Sequence, residues 1–157
     1  MRILHVNEHL EWAGGVETYL LSLIPELEAR GHPQALVYAR GRGELVREAY
    51  CLPELSLGTR ESEAAAEKRM STILDEFQPD LVHLHQVYNL GAVRACLERV
   101  PVLIHGHDYR YLCPASTFWY RRSRTVCGRT AGPGCFTTTL YRHCMSPRPR
   151  FALDYYR

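Results

Sequence analysis

Lysine is almost missing from this chain, and Lys68 is its only copy, so nearly all positive charge is arginine. Arginine's planar, always-charged fork suits phosphate and carboxylate recognition better than an ammonium does. No apolar run approaches the roughly 20 residues of a membrane-spanning helix. The opening MRILHVNEHLEW has neither a basic leader nor a long apolar stretch, so the expectation is a soluble, cytoplasmic protein. There is no GxGxxG, which leaves a dinucleotide fingerprint unsupported, no CxxC knuckle, and no internal repeat. Acidic residues are scarce at one end. Tyr109 to Arg157 holds nine arginines and one acid, Asp154, for a net +8, while Met1 to Asp108 carries ten basic and sixteen acidic residues, a net −6.

At 157 residues the chain has the length of about one domain and enough apolar content for a real core. Arg2 to Asn7, RILHVN, reads as a buried parallel strand. The helix after it has Val16, Leu20, Leu23 and Leu27 on one face, Pro25 placed to bend it and Gly31 to end it. Gln34 to Ala39 predicts a second strand and Pro53 to Leu57 a short third one. Met70, Ile73, Leu74 and Phe77 give the stripe of a helix over Glu61 to Phe77. PDLVHLH predicts a strand ending in His83 and His85. Leu90, Val93 and Leu97 suggest a helix, and VPVLIHGHD a last strand. This alternation predicts an α/β fold, a Rossmann-like doubly wound parallel sheet whose ligands sit outside the carboxyl ends of the strands.

Beyond Asp108 the periodicity stops, and residues 109–145 read as an irregular Cys- and Arg-rich segment. Its end, FALDYYR, looks like a helix cut short, so the chain is expected to be part of something longer. Cys113, Cys127, Cys135 and Cys144 fall within 32 residues, spaced x13, x7 and x8. Four thiolates can close around structural zinc and order a segment short of apolar residues, with His143 as a spare ligand. Free buried thiols and disulfides are the alternatives. Cys51 and Cys96 read as ordinary small hydrophobes.

Chemistry-bearing residues gather at strand ends. Gly14-Gly15 enters a helix, where backbone donors and the positive helix end favour phosphate. His83 and His85 share a strand face and can reach the ligand crevice or, as is commoner, be core histidines satisfied by backbone; His105 and His107 also share a face, with Asp108 pointing away to orient or cap the loop. GGVETYLLSLIPELEARGH is similar to the opening of family 4 retaining glycosyltransferases, and PDLVHLH and HDYRYLCP resemble two further motifs of that family, in order and in register. The resemblance implies the N-terminal, acceptor-side domain of a GT-B enzyme spanning residues 1–157, with the C-terminal donor-binding domain absent and the chain inactive alone. It implies a nucleotide-sugar donor (UDP- or GDP-sugar) and no catalytic metal. Gly14 and Gly15 would approach the donor diphosphate, and Glu17 would support the glycine loop. His107 would face the transferred sugar as the catalytic residue, and His85 would line the side of a glycan or lipid-linked acceptor. Pro33 and His105 depart from the family pattern, and the resemblance assigns His105 no role. The arginine-rich end adds the expectation of peripheral contact at the inner membrane face.

Two other functions compete. A polyanion-binding module, for nucleic acid or anionic membrane, would use the Arg and aromatic residues of 109–157, among them Trp119, Tyr120, Arg121, Arg122 and Arg124. The enzyme reading expects no nucleic acid. A flavodoxin-like regulatory domain is disfavoured, because the first strand lacks an acidic cluster at its end.

Overall fold

The computed structural model describes residues 1–10, 14–56, 59–109 and 112–144, apart from the side chains of Leu45, Phe136 and Leu140. The chain divides into two compact units, Met1–His105 and Gly106–Arg157. Along the first unit run β1 (Ile3–Val6), β2 (His9–Leu10), α1 (Gly15–Ala29), β3 (Gln34–Tyr38), β4 (Arg40–Gly41), β5 (Ala49–Cys51), α2 (Arg60–Phe77), β6 (Leu81–Leu84), α3 (Leu90–Leu97) and β7 (Val102–Ile104). Five strands form one parallel sheet in the order β5-β3-β1-β6-β7. The chain starts at the centre, winds to one edge, crosses back through α2 and winds to the other edge. The sheet is therefore doubly wound and Rossmann-like, as the alternation of strands and helices predicts, and its winding reverses between β1 and β6.

The two sheet faces are built differently. Leu4, Val6, Ala35, Val37, Val82 and Leu84 pack with Ala66, Met70, Ile73, Leu74 and Phe77 of α2 and Ala92, Ala95 and Cys96 of α3. This large hydrocarbon core buries α2 on the stripe the sequence predicts. Burial pushes the Cys96 thiol up to about 12, which makes it an inert packing group. The other face carries a smaller apolar cluster of Leu10, Val16, Leu20, Ile24, Leu36 and Val46. Its remaining positions are polar: β1 and β6 are in register at His5 and His83, and Leu36 lies opposite His5.

Local signals fix the helix ends. Thr59 and Ser62 form a reciprocal capping box at the start of α2. Asn89 caps α3 through Oδ1, which accepts the Ala92 N–H at 3.1 Å. At the end of α1 Gly31 sits at φ +81°, its N–H bonded to the Glu28 carbonyl and the His32 N–H to the Leu27 carbonyl. That paired closure needs the left-handed conformation glycine tolerates.

Four expectations are corrected. Pro53–Ser56 is a 3₁₀ turn, not a strand, and Leu57 lies outside the described residues. Proline has no N–H for a ladder, and its fixed φ suits a first helical turn. The third sheet strand is Ala49–Cys51, and Cys51 is exposed on this edge instead of packed. The buried face of α1 is Val16, Leu20 and Ile24, with Leu23 and Leu27 half-buried. In α3 the buried residues are Gly91, Ala92, Ala95 and Cys96, whereas Leu90 and Leu97 are exposed. A Cβ on Gly91 would stand 2.0 Å from the Glu63 carbonyl oxygen. Two helices in such close backbone contact select small residues, and the leucines turn outward.

In the second unit β8 (Trp119–Tyr120) and β9 (Thr125–Val126) form an antiparallel hairpin, and α4 (Gly134–Arg142) follows. The terminal FALDYYR lies outside the described residues.

Candidate functional site

Where the winding reverses, the loops leaving β1 and β6 are stitched together by buried polar groups. Asn7 is fully buried. Its amide donates to the His9 carbonyl at 2.7 Å and to Glu17 Oε1 at 3.3 Å, and its Oδ1 accepts the Gln86 N–H at 3.2 Å. Glu8 donates its N–H to the Gln86 carbonyl at 3.2 Å and accepts the Tyr88 N–H on Oε1 at 3.3 Å. Each buried polar atom here has a defined partner, which makes this crevice a rigid platform at the carboxyl edge of the sheet.

Helix α1 begins at this edge. Gly14 is its N-cap, in extended backbone with no side-chain cap, and its carbonyl accepts both the N–H and the Oγ1 hydrogen of Thr18, at 3.1 and 2.9 Å. The first N–H groups of the helix thus have neither an intrahelical partner nor a side-chain cap at Gly14. Glu17 is buried in the first turn and held by Asn7. A Cβ at Gly14 would meet Glu17 Oε2 at 2.9 Å, while one at Gly15 would meet nothing within 4 Å. Gly14 therefore makes room for the carboxylate, and Gly15 leaves the helix end open to an approaching group.

Under α1 lies a row of imidazoles that the strand register creates. His5, on β1, and His83 and His85, on and just past β6, all face this side, and their rings lie 4.0 to 5.6 Å apart by centroid. His105 follows β7, its N–H bonded to the Leu84 carbonyl, and its ring stacks on His83 at 5.7 Å and meets Tyr19 of α1 edge-on at 5.0 Å. Gln34 of β3 anchors the row. Its Nε2 donates to the His32 and Pro33 carbonyls at 2.8 and 3.1 Å, which turns Oε1 toward His5 Nε2 at 2.8 Å. His5 Nε2 thus carries a proton and donates it to Gln34. Burial lowers the pKa of His5, a shift partly offset by this bond, so His5 stays neutral with a bare Nδ1. That Nδ1 lies 3.3 Å from His85 Nε2. One nitrogen from each of His5, His83 and His85 falls within 4.8 Å of the others, and all three residues are buried.

In the second unit His107 and Asp108 are half-buried on a bend. Cys113, Cys127, Cys135 and Cys144 line one cavity of about 20 Å³, with Phe118, Trp119 and Tyr120 among its other walls. Cys127 Sγ lies 3.1 Å from the Tyr120 hydroxyl and Cys144 Sγ 3.6 Å from Thr139 Oγ1. The thiol neighbour raises the pKa of Tyr120, burial adding to it. Arg121, Arg122 and Arg124 are exposed at the hairpin turn.

His5, Gln34, Asn7 and Glu8 are functional candidates that the sequence reading passes over. The signal for His5 was present: a histidine at an inward position of an apolar strand, in a chain with two more histidines on another strand. Only the pairing of β1 with β6 makes them neighbours.

A doubly wound parallel sheet, with a glycine-started helix opening at the reversal of its winding, defines the first unit as a Rossmann-like α/β domain. The sequence profile described as Glycosyltransferase Family 4 matches residues 13–133. The chain belongs to that family, whose members are glycosyl-transferring enzymes. Among curated proteins none matches. Among solved structures the chain is similar to the UDP-GlcNAc 2-epimerase of Neisseria meningitidis bound to UDP-GlcNAc, with 18% identity and a TM-score of 0.49 over 66% of this chain. The match spans 31% of the epimerase, about a third of its length. It is also similar to the C-terminal domain of a hydrogenase from Pyrococcus furiosus, with 14% identity and a TM-score of 0.46 over 66% of this chain and 90% of that domain. Among the described residues no helix is long and apolar enough to cross a membrane.

Proposed function

We propose that this chain is the acceptor-side domain of a retaining glycosyltransferase, which transfers a sugar from a UDP- or GDP-sugar to a glycan or lipid-linked acceptor. The observation that carries the reading is the open, glycine-built N-terminus of α1 at the reversal of the sheet. The N–H groups of its first turn and its positive dipole end suit a diphosphate, and Gly15 places no side chain in the way. Glu17, fastened to Asn7, keeps the Gly14 turn in shape. His85 lines the acceptor side. His107 faces the transferred sugar and helps stabilise charge developing on it, and, as the family resemblance implies, transfer needs no catalytic metal. A second, C-terminal domain supplies the rest of the donor site, and this chain alone transfers nothing. The exposed arginines of the β8–β9 turn suit an anionic acceptor or peripheral contact with the inner membrane face.

The test is a transfer assay with UDP- and GDP-sugars on an enzyme that joins this chain to a donor-binding domain, the anomeric configuration of the product being read by NMR. Retained configuration is expected, with no transfer by the chain alone. An inverted product would refute retention. Tight nucleic-acid binding at physiological salt, without transfer, would favour the polyanion-binding alternative.

For the cysteine-lined cavity we propose structural zinc held by Cys113, Cys127, Cys135 and Cys144. A hole of this size admits one small species, and the four cysteines come to its lining from three different segments. Bound zinc would tie the hairpin and α4 to the loop at Cys113. Zinc X-ray absorption should show a sulfur shell that disappears when the four cysteines are replaced by serine. A sulfur-free spectrum of zinc-loaded protein excludes this site.

A further inference from the structure

We infer that His5, His83 and His85 form a buried tri-imidazole site for a divalent first-row ion of the zinc class, set between β1 and β6 beneath α1. The reading does not rest on glycosyl transfer or on the cysteine cavity, although it shares His85 with the proposed acceptor side.

Three observations converge. First, the ligand atoms are close and out of water: one nitrogen of each residue lies within 4.8 Å of the others, and the three residues are at most 6% exposed. Second, His5 Nδ1 and His85 Nε2 face each other at 3.3 Å, a long hydrogen bond between the two rings. Two imidazole nitrogens about 2.0–2.1 Å from one tetrahedral ion would be separated by about 3.3–3.4 Å. The pair therefore has the spacing of a coordination edge. Third, the outer partner of a metal-bound histidine is already in place. Gln34 Oε1 accepts the His5 Nε2–H at 2.8 Å, and two backbone carbonyls fix the Gln34 amide. Metal-ligating histidines characteristically give their second N–H to such an acceptor, which fixes the tautomer and aims the other nitrogen.

Imidazole donors suit zinc, copper, iron and nickel, and disfavour magnesium and calcium, which take oxygen. Three protein nitrogens leave a fourth position for a water or hydroxyl oxygen. The ion would clamp the two central strands at the point where the winding reverses, and would hold the His85 ring in one orientation.

The experiment uses the whole chain, purified without chelator or metal-affinity resin, stripped, and titrated with Co²⁺ and then Zn²⁺. Expected is a saturable equivalent with tetrahedral d–d absorption that persists when Cys113, Cys127, Cys135 and Cys144 are all replaced by serine. It should vanish in His83→Leu and weaken about 10- to 100-fold in Gln34→Leu, with helix content by circular dichroism unchanged. Should His83→Leu fail to fold, X-ray absorption of the zinc-loaded cysteine-free chain decides, with an imidazole nitrogen shell expected. No saturable uptake by that chain, no imidazole scattering, or an affinity indifferent to both substitutions would overturn the site.

Discussion

Replacing His107 by alanine lowers the turnover of the complete enzyme by about 10²- to 10⁴-fold, the range in which one positioned acid, base or charge-stabilising group acts. The expectation depends on the family resemblance, which sets this position against the transferred sugar. The structure makes the substitution a clean probe, because His107 is half-buried on a bend and belongs to neither apolar cluster of the sheet. Loss of function through unfolding is therefore not expected. Single-turnover rates with thermal melting recorded beside them separate the two effects. A variant with full turnover would remove His107 from the mechanism. A variant with lost turnover and an unchanged melt would place it there.

Gly91→Ala destabilises the chain by about 2–3 kcal/mol, opposite in sign to the usual effect in a helix, where alanine is preferred over glycine by about 1 kcal/mol. The new methyl would sit 2.0 Å from the Glu63 carbonyl oxygen and 2.6 Å from its carbon. Both are backbone atoms of α2, so no rotamer change relieves the clash and the helices must separate. At about 2–4 °C per kcal/mol for a domain of this size, the melting temperature should fall by roughly 5–10 °C. Gly15→Ala is the matched control, since its methyl meets nothing within 4 Å and stability should hold. A Gly91→Ala chain as stable as the parent would mean that α2 and α3 pack less closely than described.

These two glycines show how much was legible in the sequence. Elements governed by local pattern were: β1 from its apolar run, α2 from its 3.6-residue stripe, and the α1 terminus from Gly31. Elements governed by tertiary partners were not. In α3 the leucines carried the periodic signal, yet the helix buries its small residues, because what decides the face is the distance to α2. Over Pro53–Ser56 the expectation of a strand lost to the missing proline donor. The site divides in the same way. Gly14, Gly15, Glu17 and His85 could be singled out from motif and strand end. The place of His5 and Gln34 beside it could not, since they lie 80 and 51 residues from His85, and only the parallel register of three strands brings Gln34 to His5 and His5 to His85.

The unequal faces of the sheet give the two sides unequal mechanical characters. On the α2–α3 side, displacing a helix exposes a broad hydrocarbon surface, and the free energy to do so approaches that of unfolding the unit. On the α1 side the helix rests partly on histidines, and less apolar area resists its departure. Amide exchange in α1 should accordingly run ahead of that in α2. The helix that opens onto the ligand edge is then the one best able to shift a fraction of a turn when a ligand arrives, while the opposite layer stays fixed as the frame.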